Sequence, residues 1–345
     1  MKIAISGLNN TDNPAPGIPV AKSLKNEYNL IGLSYDANEP GNYQKMFDSI
    51  YIMPYPSSGF EELKSRLQHI KKDHDIGAII PNLDSELPLY IKYQKEINKL
   101  GINLCVPSLE SFELRNKSKL SELANRLNIK YPQTWEINSI SDLQEISYKH
   151  SFPLMIKGAY YKSIEAFNLD GAIDAFIKIS NEWGFPVLLQ KHVYGEELNL
   201  VGVGDGQGEL KGAVAIKKLT TTNIGKIWLG LTIRNEKLLK VAKDFVKQTL
   251  WNGPFELECM VNSDNDIHLI EINPRFPSWV YFATEIGVNL PKMVVDIMSG
   301  KQVKQNLDYP INKMYVRYVE ELVTDFDNYK KLFLAKEIND CEKSI

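Results

Sequence analysis

Gly253-Pro254-Phe255-Glu256-Leu257-Glu258-Cys259, then Ile267-His268-Leu269-Ile270-Glu271-Ile272-Asn273-Pro274-Arg275, are the two stretches on which the fold turns. Each alternates apolar and polar residues, so 255–261 and 267–272 read as strands, joined as a hairpin around residues 263–266. Residues two apart in a strand share a face. Glu271 therefore sits with Asn273, and Glu256 with Glu258. Across a tight hairpin Glu258 can lie beside Glu271. Two carboxylates and an amide oxygen on one sheet face repel each other without a cation. Hard oxygen donors of this kind suit Mg²⁺, which takes one or two carboxylates together with substrate phosphates. Arg275 follows on the same face and can grip a phosphate oxygen through two parallel hydrogen bonds. The alternative is an acidic, solvent-facing strand edge, which is common in antiparallel hairpins.

Outward from this hairpin, the first hundred residues alternate strand and helix. Strands are expected at 2–7, 30–35, 49–53, 76–81 and 103–106, and helices at 18–26, 59–73 and 88–100. Such alternation specifies a parallel, doubly wound sheet, which holds ligands at the carboxyl ends of its strands. One helix is expected over 108–127. Strands at 154–157 and 164–168, a helix at 171–182 and a strand at 187–192 suggest a small α+β unit. A second hairpin, 198–204 with 210–218, turns at Asp205-Gly206-Gln207-Gly208. A mobile loop is expected at 220–225, a helix at 236–250, and helix again from 277 to about 299. The remaining tail is charged, less regular and without a motif.

Composition removes several classes. The 345 residues carry 40 Lys and Arg against 43 Asp and Glu, a net charge of −3, which argues against a general nucleic-acid binder. No apolar run approaches the roughly 20 residues of a membrane helix. The three cysteines, Cys105, Cys259 and Cys341, are scattered and form no CxxC, so neither a disulfide framework nor a zinc knuckle is indicated. The expectation is a cytoplasmic protein without a membrane partner.

The hairpin residues resemble those of the ATP-grasp superfamily, and within it the large chain of carbamoyl phosphate synthetase. The resemblance is carried by Gly253-Pro254-Phe255, Glu258, Leu269 through Arg275, and Gly287-Val288-Asn289-Leu290. It implies that Glu258, Glu271 and Asn273 hold two Mg²⁺ ions, with Mn²⁺ able to replace them, against the phosphates of ATP. It also implies that Arg275 faces the transferring phosphoryl group. Lys117 and Lys157 match the two phosphate-binding lysines, and Lys157 is paired with Arg275 as a catalytic residue. Gln190, Lys191, His192 and Val193 match the adenine hinge, and Glu197 the ribose-binding acid. Two departures stand out. Asn116 replaces the usual Asp before the first lysine. The loop Gly158-Ala159-Tyr160-Tyr161-Lys162-Ser163 has one glycine where relatives have several, so backbone amides cradle phosphate less readily there, and Lys162 becomes a candidate for that grip. Ile79 through Leu87 resembles a family signature at a strand end, with Asp84 and Glu86 as candidates to face a cleft.

The resemblance implies an α/β chain with an N-terminal doubly wound parallel-sheet domain over 1–108. A two-lobed α+β ATP-grasp fold follows over 109–300, with its small lobe at about 132–195, and then a tail over 301–345. It implies a ligase that activates a carboxylate as an acylphosphate and joins it to an amine, with small-molecule substrates and a homodimer formed through the first domain. The amine pocket is expected near residues 275–281 and 220–228, with Trp279 and Tyr281 in its wall and Lys217, Lys218, Lys226 and Arg234 as candidate contacts. The alternatives are a non-catalytic ATP-binding regulator, or an enzyme that phosphorylates or carboxylates without forming an amide.

Overall fold

The computed structural model describes residues 1–11, 13–158, 162–222 and 225–339. Asp12, the glycine-poor stretch Ala159-Tyr160-Tyr161, Asn223 and Ile224 of the expected mobile loop, and Cys341 lie outside the described residues. The chain divides into two compact units. One comprises Met1–Phe112, Asn199–Glu256 and Asn273–Ile345, the other Glu113–Leu198 and Leu257–Ile272.

In the first unit, β1 (Lys2–Ser6), β2 (Asn29–Ser34), β3 (Ser49–Ile52), β4 (Ile76–Ile80) and β5 (Asn103–Leu104) pair in parallel. Their spatial order is 3-2-1-4-5, so the strand order reverses between β1 and β4, as expected of a doubly wound sheet. These strands are short Ile- and Leu-rich runs because helices cover both faces of such a sheet. In the second unit, β6 (Thr134–Ile137), β7 (Leu154–Gly158), β8 (Ser163–Ala166) and β9 (Val187–Lys191) form an antiparallel sheet of order β6-β9-β7-β8. The helix Leu169–Trp183 packs its Ala172, Phe176 and Ile179 into that sheet's core. Asn168 caps it, accepting from the Gly171 amide at 2.8 Å.

A third sheet runs β14-β13-β10-β11-β12-β15, built from β10 (Glu196–Asp205), β11 (Leu210–Thr221), β12 (Ile227–Ile233), β13 (Asn252–Val261), β14 (Ile267–Asn273) and β15 (Met314–Val316). Both expected hairpins are present. The Asp205 carboxylate fixes the first turn by accepting from the amides of Gln207 and Glu209, and Asn262 does the same for Asp264 and Asp266 in the second.

Several expectations need correction. The single helix over 108–127 is two, Leu109–Glu113 and Lys117–Arg126, because Asn116 adopts an extended backbone and restarts the coil. The helix at 88–100 breaks at Tyr93, whose ring stacks on Phe60 with centroids 4.0 Å apart. The helical stretch from 277 is Val280–Glu285 and Leu290–Met298, interrupted at Gly287, where φ is 96°. The tail is more regular than its charge suggests. β15 pairs with β12, a helix forms over Phe326–Ala335, and β16 (Glu337–Ile338) pairs antiparallel with β3. Arg66 clasps that last strand, donating to Glu337 at 2.9 Å and to the Lys336 carbonyl at 2.7 Å. His69 and Asp73 complete a cluster of metal-binding residue types with Glu337, but the guanidinium already neutralises Glu337.

Candidate active site

Most of the expected nucleotide residues fall in the second unit. Lys117 is the first residue of the helix Lys117–Arg126, and its Nζ donates to the Gly158 carbonyl at 2.6 Å. Lys157 lies on β7 with only 8% of its surface exposed. Burial pushes its pKa down to about 8, the Lys117 charge adds to this, and Glu271, Glu258 and Glu197 pull the other way. Burial also lowers the pKa of Lys117, against the pull of Glu271. Two lysines and three acids, 154 residues apart at their extremes in sequence, therefore act on one another in the fold. A buried ammonium beside a second ammonium is costly alone and is suited to a polyanion.

This predicts a pH effect. The ordinary lysine value of 10.5 applies to the unfolded chain and about 8 to the folded one. Between them the unfolded state binds more protons, so the strain of burying this charge is relieved, and stability rises, as pH climbs through that window. Nucleotide binding runs the opposite way, because a polyphosphate needs the ammonium. Affinity should weaken by up to about tenfold per pH unit above pH 8. At pH 8.5, binding should take up protons, seen as a calorimetric heat that changes with buffer ionisation enthalpy. A heat independent of buffer would contradict it.

The hinge residues close β9 and continue past it. The Gln190 side chain is buried, and its Nε2 donates to Thr134 Oγ1 at 2.7 Å across the β6–β9 pairing. Lys191 is exposed, and its amide bonds the Gln133 carbonyl at 2.9 Å. His192 places Nε2 3.2 Å from Glu165 Oε1, and its ring meets Tyr194 edge-on. Gly195 must be glycine, since a Cβ there would stand 2.3 Å from the Val261 carbonyl. Lys191 through Tyr194, with Tyr131, Pro132 and Gln133, line a concavity of about 630 Å³. Lys162, the candidate phosphate grip, is paired instead with Glu182 at 2.5 Å. The thiol of Cys259, beside Glu258, is pushed well above its ordinary range by burial, so it is no nucleophile.

The first unit holds Asn273 and Arg275. Asn273 is buried and Arg275 half-buried. Arg275 donates through Nε to Asp84 at 2.8 Å, through Nη1 to the Phe276 carbonyl at 3.1 Å and through Nη2 to Asn273 Oδ1 at 3.3 Å. Asp84 thus holds Arg275. Glu86 does not face a cleft. It is 1% exposed and accepts from Ser6 Oγ, from the Tyr35 hydroxyl at 2.6 Å and from the amides of Asn82 and Leu83, tying the carboxyl ends of β1, β2 and β4 together. Trp279 also differs from expectation. It is 2% exposed and donates its indole N–H to Glu256, so it is core rather than pocket wall. Arg234 is committed to Asp308 and the Leu307 carbonyl.

Residue-type reasoning left Glu256 and Asn199 without a role. Glu256 Oε1 accepts from Asn199 Nδ2 at 2.8 Å and Trp279 Nε1 at 2.9 Å, and its Oε2 from Asn273 Nδ2 at 3.0 Å. The available signal was a polar residue inside each of two otherwise apolar strands, Leu198-Asn199-Leu200 and Phe255-Glu256-Leu257.

A family model described as ATP-grasp in the biosynthetic pathway with Ter operon matches residues 185–322. The carbamoyl phosphate synthase large chain of Clostridium acetobutylicum is 25% identical over 246 residues, covering 65% of this chain and 23% of that one. The Buchnera aphidicola large chain is 23% identical over 305 residues, covering 82% and 27%. The chain thus spans about a quarter of the length of these curated relatives. Among solved structures, the biotin carboxylase domain of Hydrogenobacter thermophilus 2-oxoglutarate carboxylase, a dimer in complex with MgADP, superposes with a TM-score of 0.69 at 14% identity, over 91% of this chain and 73% of that one. The L-amino acid ligase of Bacillus licheniformis gives 0.65 at 15%, over 86% and 73%. Family match, relatives and architecture point one way: residues 185–322 match an ATP-grasp family model, and the chain is similar to carbamoyl phosphate synthase large chains.

Proposed function

We propose that this protein is an ADP-forming ligase that activates a small carboxylic acid with ATP and joins it to an amine. The carrying observation is the buried Lys157, acted on by Lys117 and by Glu271, Glu258 and Glu197. The donor set fits a hard divalent cation, since Glu258 and Glu271 are half-buried oxygen donors beside two ammonium groups suited to phosphate. Glu258, Glu271 and Asn273 hold Mg²⁺ in this proposal, two ions as in the resembled family, and Mn²⁺ replaces it. Bound there, the metal supplies neutralising charge at the polyphosphate.

Lys117 and Lys157 bind the phosphates, the backbone from Gln190 to Val193 receives the base, and Glu197 binds the ribose hydroxyls. Arg275 orients the phosphoryl group. A carboxylate oxygen attacks the γ-phosphorus, the bond to the β,γ-bridging oxygen breaks, and ADP leaves with an acylphosphate formed. The amine then attacks the acyl carbon, inorganic phosphate departs, and the surplus amine proton passes to solvent. Residues 1–108 form the leading domain and 109–300 the ATP-grasp fold, followed by 301–345. The dimer recorded for the Hydrogenobacter relative supports a homodimer.

The test is ADP release from purified protein with MgATP, screened against pools of amino acids and small carboxylic acids with and without amines. Acid-dependent release, with an amide product when an amine is added, is the expected result. ATP affinity without release from any pool would overturn the proposal in favour of a nucleotide-binding regulator.

A further inference from the structure

Glu256 stands on the strand that carries Glu258, yet it belongs to a different arrangement. It is 3% exposed and receives three N–H donors, from Asn199, Trp279 and Asn273. An acceptor carboxylate leaves Asn273 one choice of amide orientation. The Asn273 NH₂ must face Glu256, so Oδ1 points the other way, where Arg275 Nη2 donates to it at 3.3 Å. Asp84 holds the other side of the same guanidinium at 2.8 Å. A continuous relay therefore runs from the buried carboxylate through the amide to the arginine.

We propose that Glu256 is a positioning residue that locks the Asn273 amide with its oxygen outward, so that Asn273 can ligate a metal ion and steady Arg275. The inference rests on the metal-dependent function proposed above. It assigns Glu256 no contact with metal or substrate. Outer residues that orient a ligand typically change metal affinity by about 10–100-fold when altered.

The decisive variant is Glu256→Gln, which keeps size and shape. The amide oxygen of the new side chain still accepts from Asn199 and Trp279, which turns its NH₂ toward Asn273. Asn273 must then reverse, offering Oδ1 inward and an NH₂ outward. An NH₂ is no ligand for a hard cation and has no acceptor for Arg275. Mn²⁺ affinity, measured by electron paramagnetic resonance with a non-hydrolysable ATP analogue, should fall by about 10–100-fold. Adding Asn273→Asp should restore it, because an aspartate accepts from the introduced glutamine amide and still presents an oxygen outward. Asn273→Asp alone should not, since it sets two carboxylates against each other. Trp279→Phe removes a different donor from Glu256, so it should lower thermal stability while leaving Mn²⁺ affinity within about twofold.

If wild type binds no Mn²⁺ with the analogue, the metal-dependent function itself fails. If wild type binds and Glu256→Gln binds equally well, the positioning role fails alone. Should Glu256→Gln not fold, the double variant decides. Restored folding with wild-type affinity upholds the proposal, and either an unfolded double variant or a folded one without Mn²⁺ affinity overturns it.

Discussion

Glu271→Ala should lower acid-dependent ADP release by about a thousandfold, the equivalent of roughly 4 kcal/mol of lost charge stabilisation at the transferring group. The residue carries two duties. In the proposed function it is an oxygen ligand for the metal. In the structure it is also one of the acids that hold up the pKa values of Lys157 and Lys117. Losing it makes both ammonium groups easier to deprotonate, so the pH at which nucleotide affinity fails should move below the wild-type value near 8. Folding should hardly change, because the side chain is only half-buried. The checks are the ADP-release rate at saturating Mg²⁺ and nucleotide affinity across pH. A variant retaining about a tenth of wild-type activity or more would remove Glu271 from the metal site.

The largest stability effect is expected at Trp251→Ala. Trp251 is fully buried, its ring centroid lies 5.0 Å from that of Phe245 and 6.2 Å from that of Phe255, and its Nε1 donates to the Pro254 carbonyl at 3.1 Å. Truncation opens a cavity beneath the strand that carries Glu256 and leaves the Pro254 carbonyl without that donor. The cost should be about 3–5 kcal/mol, a large share of ordinary domain stability. Thermal unfolding of the first unit should begin about 10 °C earlier, followed by calorimetry. A shift of only a degree or two would mean that the aromatic cluster repacks around the gap.

The doubly wound sheet, both hairpins and the small antiparallel unit were legible because their strands are apolar runs closed by turn residues that explain themselves, such as Asp205-Gly206 and the polar run 263–266. Helix breaks were not. Tyr93 interrupts a good helical pattern, and the Phe60 ring it stacks on lies 33 positions earlier. β6, β12 and the helix Ile140–Ser147 went unseen, although Ser139 and Asp142 form a capping box that marks the last of these plainly. β15 and β16, three and two residues long, are too short to show any alternation. At the candidate site, the grouping of Lys117, Lys157, Glu197, Glu258 and Glu271 was legible by resemblance. The restraint of Arg275 by Asp84 was not, because 191 positions separate the pair and only the fold brings them together.

The pairing of β16 with β3 also bears on how the chain is made. A ribosome delivers Ser49–Ile52 early, and the strand that closes its open side emerges almost 300 residues later. At roughly 5–20 residues per second, that edge of Ser-Ile-Tyr-Ile waits for tens of seconds. An unpaired apolar edge is a template for pairing with other chains. The clasp of Arg66 on Glu337 and on the Lys336 carbonyl thus fastens a closure that can form only after the long intervening chain has been made.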